Sequence, residues 1–447
     1  LVAAGCSNSS PSSSPADSSV VGAADGRGGT LRVGIVGVDG FDPAEALPTS
    51  QSSLVVADVL FDGLTSIDPA TNEAVPALAS SWDVNESVDQ FTFRLRDGAQ
   101  FSDGSAVTAG DVKFSLERLA RRGTASLSGV RLDVIAGYDA FVDGGAPDLA
   151  GVTTPDERTL VVATTGSFAP LPELLASPLY GVLPKAAVES DPETFDRNPI
   201  GSGPFRIEPV AVDADAAAPR TLVAVAADRA KLDGVLLRPF ATVADATAAY
   251  RAGELDWSPV ASGDAESLSV DGATVVPLLA ETFFAMNLSA PPLDNADLRR
   301  AVLHAVDRDA LARDALGGSP RLDGIVPEAV PGGVADACGD ACTFDTDAAK
   351  ALVAAAYPDG NVPTVVVSVY DDPTQQALAD GMKAGLDAAG IPNEVQVKPF
   401  EEYRSFVVSG QQQLFSYGWV AAAPEAEFIL GPLFLSGSPD NITGYAN

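Results

Sequence analysis

The stretch that decides the fold runs from residue 91 to residue 119, FTFRLRDGAQFSDGSAVTAGDVKFSLERL. Phe91, Phe93 and Leu95 alternate with polar residues, the period of a strand with one buried face. Asp97-Gly98 then supplies a hairpin-type turn, because glycine accepts the backbone conformation of a tight reversal, and Asp103-Gly104 marks a second. Thr108 is placed to cap a helix, with Asp111 three residues on as the short form of a capping box. Val112, Leu116 and Leu119 share one face of the helix that follows. Strand, turns and capped helix in so short a span predict an α/β protein.

Upstream, Leu31, Val33, Ile35 and Val36 predict a first strand. Gly34, Gly37 and Gly40 follow it with the spacing G-x-x-G-x-x-G, which is not the dinucleotide fingerprint. Asp42-Pro43 also breaks the chain where that fingerprint requires a helix. Leu54 to Leu60 has helical spacing and runs into turns at Asp62-Gly63 and Asp68-Pro69.

At 447 residues the chain is too long for one ordinary core, so two or three domains are expected. Acidic residues number 61 against 27 basic ones, a field that repels phosphate backbones and excludes nucleic acid as a partner. No uninterrupted apolar run approaches the roughly 18–20 residues that span a bilayer. Any membrane attachment is therefore expected from the front end.

Cys338 and Cys342 lie in ADACGDACTF. As metal ligands they are two short of a tetrahedral set, and the one histidine, His304, is distant in sequence. As a disulfide they close a very short loop and imply an oxidising compartment. The disulfide is the expectation, which leaves Cys6 over.

Catalysis finds little support. His304 would have to serve any Ser-His-Asp triad. The apolar face of residues 296–316 runs through Leu298, Ala301, Val302, Ala305 and Val306, so His304 falls beside Arg300 and Asp307 on the solvated side. The GSG at 201–203 is not G-x-S-x-G, and no phosphate loop, H-E-x-x-H or EF-hand pattern occurs. No enzyme, no cofactor and no metal is expected.

LVAAGC at 1–6 resembles the lipobox of bacterial lipoproteins, with Ala3 where leucine is usual. The resemblance implies that Cys6 is acylated and that the Ser/Pro/Asp/Gly stretch through residue 29 is a flexible tether.

Successive segments carry a wider resemblance: LFDGLTSIDP at 60–69, PALASSWDV at 76–84, the 91–119 stretch, and NPIGSGPFRI at 198–207. It continues through 232–257, 283–311, 345–360 and 385–424, in order. Together they resemble the family 5 extracellular solute-binding proteins, the peptide and nickel receptors of ABC importers. The resemblance implies an α/β, two-lobed periplasmic-binding-protein-like fold of type II, with an extra subdomain, a hinge and an interlobe cleft. On that pattern lobe I takes 30–47 and 160–277, the inserted subdomain 48–159 and lobe II 278–447. The family's usual C-terminal return to lobe I is not expected within these residues.

By the same resemblance Trp419, after a strand, falls at the family's cleft tryptophan, where an indole can bury roughly 150–250 Å² against a ligand. Peptide receptors of the family carry an aspartate three residues later; here that residue is Ala422. Burying an unpaired ammonium costs several kcal/mol. Either another carboxylate supplies the counter-charge, Glu425 or Glu427 being nearest, or the ligand carries no buried amine. Thr49, Ser50, Gln51, Gly203 and Asn287 are the further cleft candidates. Nickel is disfavoured for want of histidines.

The function implied is an extracytoplasmic, lipid-anchored receptor on the outer face of the cytoplasmic membrane. It would be a monomer that takes a peptide or small organic solute by lobe closure and passes it to an ABC permease. The alternative is a transport-inactive relative acting as a scaffold in envelope assembly.

Overall fold

The computed structural model describes residues 27–446 apart from 39, 47–49, 122–129, 210–217, 226–228, 277–278 and 318. Cys6, the tether through residue 26 and Thr49 lie outside the described residues. The chain forms two compact units. The first is built from the described residues up to 121, from 131–260 and from 268–276; the second is built from residue 130, from 261–267 and from 279 onward.

Unit 1 holds strands β1 (Thr30–Val36), β2 (Thr65–Ile67), β3 (Ala74–Pro76), β4 (Ala79–Val84), β5 (Gln90–Leu95), β6 (Val152–Asp156), β7 (Thr159–Ala163), β8 (Phe205–Ile207), β9 (Arg220–Ala224) and β10 (Gly234–Phe240). They make a mixed sheet β1-β10-β9-β8, an antiparallel sheet β4-β5-β7-β6 and a small β2-β3 ribbon. β1 runs parallel to β10, with Thr30 opposite Gly234 and Val36 opposite Phe240. Val33 and Ile35 bury their side chains against Val56 and Leu60 of the helix Gln51–Leu60, and against Phe205, Leu222 and Leu237.

The 91–119 stretch forms as its pattern predicts. Phe91, Phe93 and Leu95 of β5 are buried. The Thr108 hydroxyl accepts from the Asp111 N–H at 3.2 Å while an Asp111 carboxylate oxygen accepts from the Thr108 N–H at 3.0 Å. This reciprocal cap satisfies two otherwise orphaned donors at the start of the helix Ala109–Arg121. Val112, Leu116 and Leu119 then bury one face of that helix.

Unit 2 carries one sheet, ordered β11 (Ala280–Met286), β14 (Leu414–Val420), β12 (Val365–Tyr370), β13 (Asn393–Lys398). β11 pairs antiparallel with β14, and β12 runs parallel to both of its neighbours. Val365, Val367 and Val369 are fully buried, as a central strand covered by helices requires. One face packs on the helices Ala296–Ala305 and Pro373–Ala388 through Leu298, Val302, Met382 and Leu386. The other turns Phe283, Ala285, Phe415 and Tyr417 outward from that core into separate clusters.

Cys338 and Cys342 form a disulfide with Cα atoms 5.5 Å apart. The expected solvated position of His304 is corrected: it is half-buried, and its Nδ1 lies 2.8 Å from the Thr343 carbonyl oxygen. With Arg308 Nη1 donating to the Cys342 carbonyl at 2.6 Å, it ties the disulfide turn to the helices beside it. Among the described residues no helix is long and apolar enough to cross a membrane.

Candidate functional site

Alternation along a strand puts residues 281, 283 and 285 on one face of β11, and antiparallel register sets 419, 417 and 415 directly opposite on β14. The aromatic members interlock. Phe283 and Tyr417 meet edge to face with ring centres 5.9 Å apart, and Phe415 meets Tyr417 at 6.3 Å. Burial pushes the Tyr417 phenol up to about 12, so it stays a neutral hydroxyl.

Trp419 requires a correction. It lies within β14 rather than after it, and only 2% of its surface is exposed. Its indole packs with Val326, Val330, Ile429 and Leu433. Its Nε1 donates to the Phe428 carbonyl oxygen at 2.6 Å. The physical reason is the strand period, which aims position 419 into the cluster that 421–434 folds back to cover. As described, the indole organises unit 2 internally and presents no open face to a ligand.

Directly across from Trp419 stands Glu281, a residue the sequence reading missed. It is half-buried, and its Oε1 is sealed from water with no hydrogen-bond partner. Burial alone pushes its carboxyl up to about 8. The available signal was a single acid in the apolar run AETFFAM, with the period that shares a face with Phe283.

Each of the other described candidates is engaged in local contacts within its own unit. Glu427 opens the helix Glu427–Phe434, where the helix dipole favours an acid. The Glu425 carbonyl accepts from the Phe428 N–H at 3.1 Å within the same turn. Asn287 is buried; its Nδ2 donates to the Gly410 carbonyl at 3.1 Å and its Oδ1 accepts from the Ser289 N–H at 3.0 Å, an internal staple.

In unit 1, Ser50 caps the helix Gln51–Leu60 by accepting from the Ser53 N–H at 3.2 Å. Gln51 Oε1 accepts from the Val260 N–H at 3.4 Å. The neighbouring Ser52, also missed, accepts from the Val36 N–H at 3.0 Å and joins the helix start to the end of β1.

The close approach expected at Gly203 is made to the fold itself. Its N–H donates to the Leu60 carbonyl at 2.9 Å, and a Cβ there would lie 2.5 Å from the Leu60 carbonyl carbon. Beside this framework a cavity of about 640 Å³ is lined by Asp42, Ser53, Val56, Arg118, Glu193 and Asp196. Arg118 holds the buried Asp42 with both arms of its guanidinium, Nη1 to Oδ1 at 2.7 Å and Nη2 to Oδ2.

The arrangement holds side chains in fixed places and offers apolar, aromatic and carboxyl surface. Among the described residues no three His, Cys, Asp or Glu side chains converge as metal ligands.

Comparison with known proteins places this architecture. A protein of Brucella ovis, named as an ABC transporter peptide-binding protein, is 28% identical over 358 residues, 74% of this chain; the chain spans 62% of that relative's length. A glutathione-binding protein of Escherichia coli is 25% identical over 406 residues, covering 88% of this chain and 75% of its own. Among solved structures, the unliganded open form of the periplasmic murein tripeptide-binding protein MppA superposes with a TM-score of 0.74 at 24% identity. The match covers 94% of this chain and 84% of that one. The oligopeptide-binding OppA of Haemophilus influenzae, complexed with RPPGFSPFR, gives 0.68 at 21% identity over 94% and 86%. The expected α/β, periplasmic-binding-protein-like fold is therefore the fold found. The profile of the bacterial extracellular solute-binding proteins, family 5, matches residues 73–441, and the chain belongs to that family of binding proteins, not enzymes.

Proposed function

We propose that the protein is the extracytoplasmic receptor of an ABC importer, capturing peptides or a related small organic solute by closure of its two units. Supporting this reading is the family match from 73 to 441, which runs through both units rather than one. Relatives named for peptide and glutathione binding support this ligand class. A ligand that bridges both units only when they are closed shifts the population toward the closed form. The closed form would dock on the permease as a monomer. Acylation at Cys6 would hold the receptor at the outer face of the membrane.

Native mass spectrometry of the purified chain tests the reading by revealing co-purified ligand. Thermal-shift screening against di- to nonapeptide pools extends it, and solution scattering should show a smaller radius at ligand saturation. An unchanged radius removes closure. Absence of stabilisation by any peptide favours the second reading, a transport-inactive scaffold, which the sealed Trp419 and the alanine at 422 support.

A further inference from the structure

The disulfide turn of unit 2 borders a cavity whose chemistry the solute-binding reading does not use. The cavity measures about 230 Å³, opens to solvent, and has Cys338, Cys342, Arg308, Arg321, Asp336 and Phe344 in its wall. The bridged cysteines are only four positions apart, so the bond constrains little of the unfolded chain. The turn also keeps other ties. The Cys338 N–H donates to the Asp323 carbonyl at 2.8 Å and the Thr343 N–H to the Asp340 carbonyl at 3.1 Å. Breaking the bridge therefore leaves the fold standing. Arg308 is the cation beside the turn. Its Nη1 donates to the carbonyl of Cys342 itself at 2.6 Å and its Nη2 to that of Leu303 at 3.2 Å, both neutral acceptors. The aspartates of the cavity wall are engaged elsewhere or exposed. Arg321 holds Asp309 at 3.0 Å and Asp323 at 2.6 Å, Asp307 accepts from the Ala310 N–H at 2.9 Å, and Asp336 is exposed. Burial and the neighbouring Arg321 pull the Arg308 pKa down, as befits a guanidinium that no carboxylate neutralises. An anion formed at Cys342 would balance that charge.

We propose that Cys338 is a site of reversible S-thiolation by a small thiol of about the size of free cysteine, with Cys342 as the leaving group. The reagent's thiolate enters the cavity and attacks the Cys338 sulfur. A new S–S bond joins reagent to Cys338, the Cys338–Cys342 bond breaks, and its electron pair stays on Cys342 as a thiolate beside Arg308. The exchange is neutral in electrons and needs no oxidant. Its direction follows from the leaving group. A nearby guanidinium lowers a thiol's pKa, and the thiol of lower pKa departs faster. Arg308 is bonded to the backbone of Cys342, so attack falls on Cys338. The mark is reversible, because the Cys342 thiolate can expel the reagent and re-form the bridge.

Peptide mapping of the full chain reads this directly. Any free thiol at Cys6 is alkylated first, the folded protein is incubated with free cysteine at pH 7.5, and the reaction is quenched with N-ethylmaleimide before digestion. The expected result is a cysteine adduct on Cys338 and maleimide on Cys342, formed without denaturant. Arg308→Met should be thiolated about 3- to 10-fold more slowly, and Arg308→Lys, which keeps the charge, should recover most of the rate. An adduct on Cys342, equal adducts on both cysteines, or reaction only after urea unfolds the chain overturns the proposal. An unchanged rate in Arg308→Met does the same. The mapping needs no variant, so an Arg308→Met chain that folds poorly does not blunt the test.

Discussion

The Trp419 Nε1–H donates to the Phe428 carbonyl oxygen at 2.6 Å, with both residues almost completely withdrawn from water. This bond clamps the turn after β14 onto the sheet and starts the helix Glu427–Phe434 in register with the Trp419 cluster. Replacing Trp419 by phenylalanine keeps an aromatic ring but removes this hydrogen bond, at a cost of about 0.5–1.5 kcal/mol. Trp419→Ala adds a cavity and should cost about 3–5 kcal/mol. Urea denaturation ranks the two, and equal midpoints for Trp419→Phe and the parent would contradict the clamp.

Arg118 and Asp42 form the corresponding fixed point of unit 1. Asp42 is 5% exposed and also accepts from the Ala44 N–H at 3.0 Å. Arg118→Met leaves a buried charge without its counter-ion, which costs about 3–5 kcal/mol. The pair Arg118→Met with Asp42→Asn should be less damaging than the sum of the singles. A double-mutant cycle of unfolding free energies measures that coupling.

At Gly203 an added Cβ would lie 2.5–2.7 Å from backbone atoms of Leu60 and Phe61, which cannot swing aside. Gly203→Ala is expected to destabilise by more than about 1–3 kcal/mol, the ordinary range for overpacking. Gly253→Ala provides the contrast, since an added Cβ would meet nothing within 4 Å beyond its chain neighbours and the penalty comes from φ +74°. Comparing their thermal midpoints distinguishes steric contact from backbone conformation.

Glu281 gives the fold a pH dependence of unusual sign for a carboxyl. Its folded-state value, near 8, lies above the ordinary 4.5, so the native state binds the extra proton between these limits. Its contribution to stability is fully present below about pH 4.5 and is lost as pH rises through 8. Glu281→Gln, neutral throughout, should flatten that part of the stability profile. A profile between pH 5 and 9 with the same slope in both proteins would count against it.

Much of unit 1 was legible in sequence because its signals are local. The 91–119 stretch carries its own period, turns and cap, and each operates within a few residues. The helix at 54–60 and the apolar face of 296–306 were equally plain. The site was harder. Ser50, Gly203 and Asn287 were singled out as cleft contacts, and each is seen bonded to backbone groups. A capping serine, a turn glycine and a loop asparagine look the same in sequence whether they serve a fold or a ligand. His304 was misplaced for a related reason, since the helical face predicts solvent and only the distant 343 segment covers it.

By itself the sequence determined the α/β class, the family and the faces of its strands and helices, because side-chain period and capping chemistry act over one or two turns of chain. Tertiary structure alone decided that Glu281 faces Trp419 and that Arg118 holds Asp42. Those pairs join residues far apart in the chain, and their meeting depends on which strands adjoin and in what register. No local propensity encodes that choice.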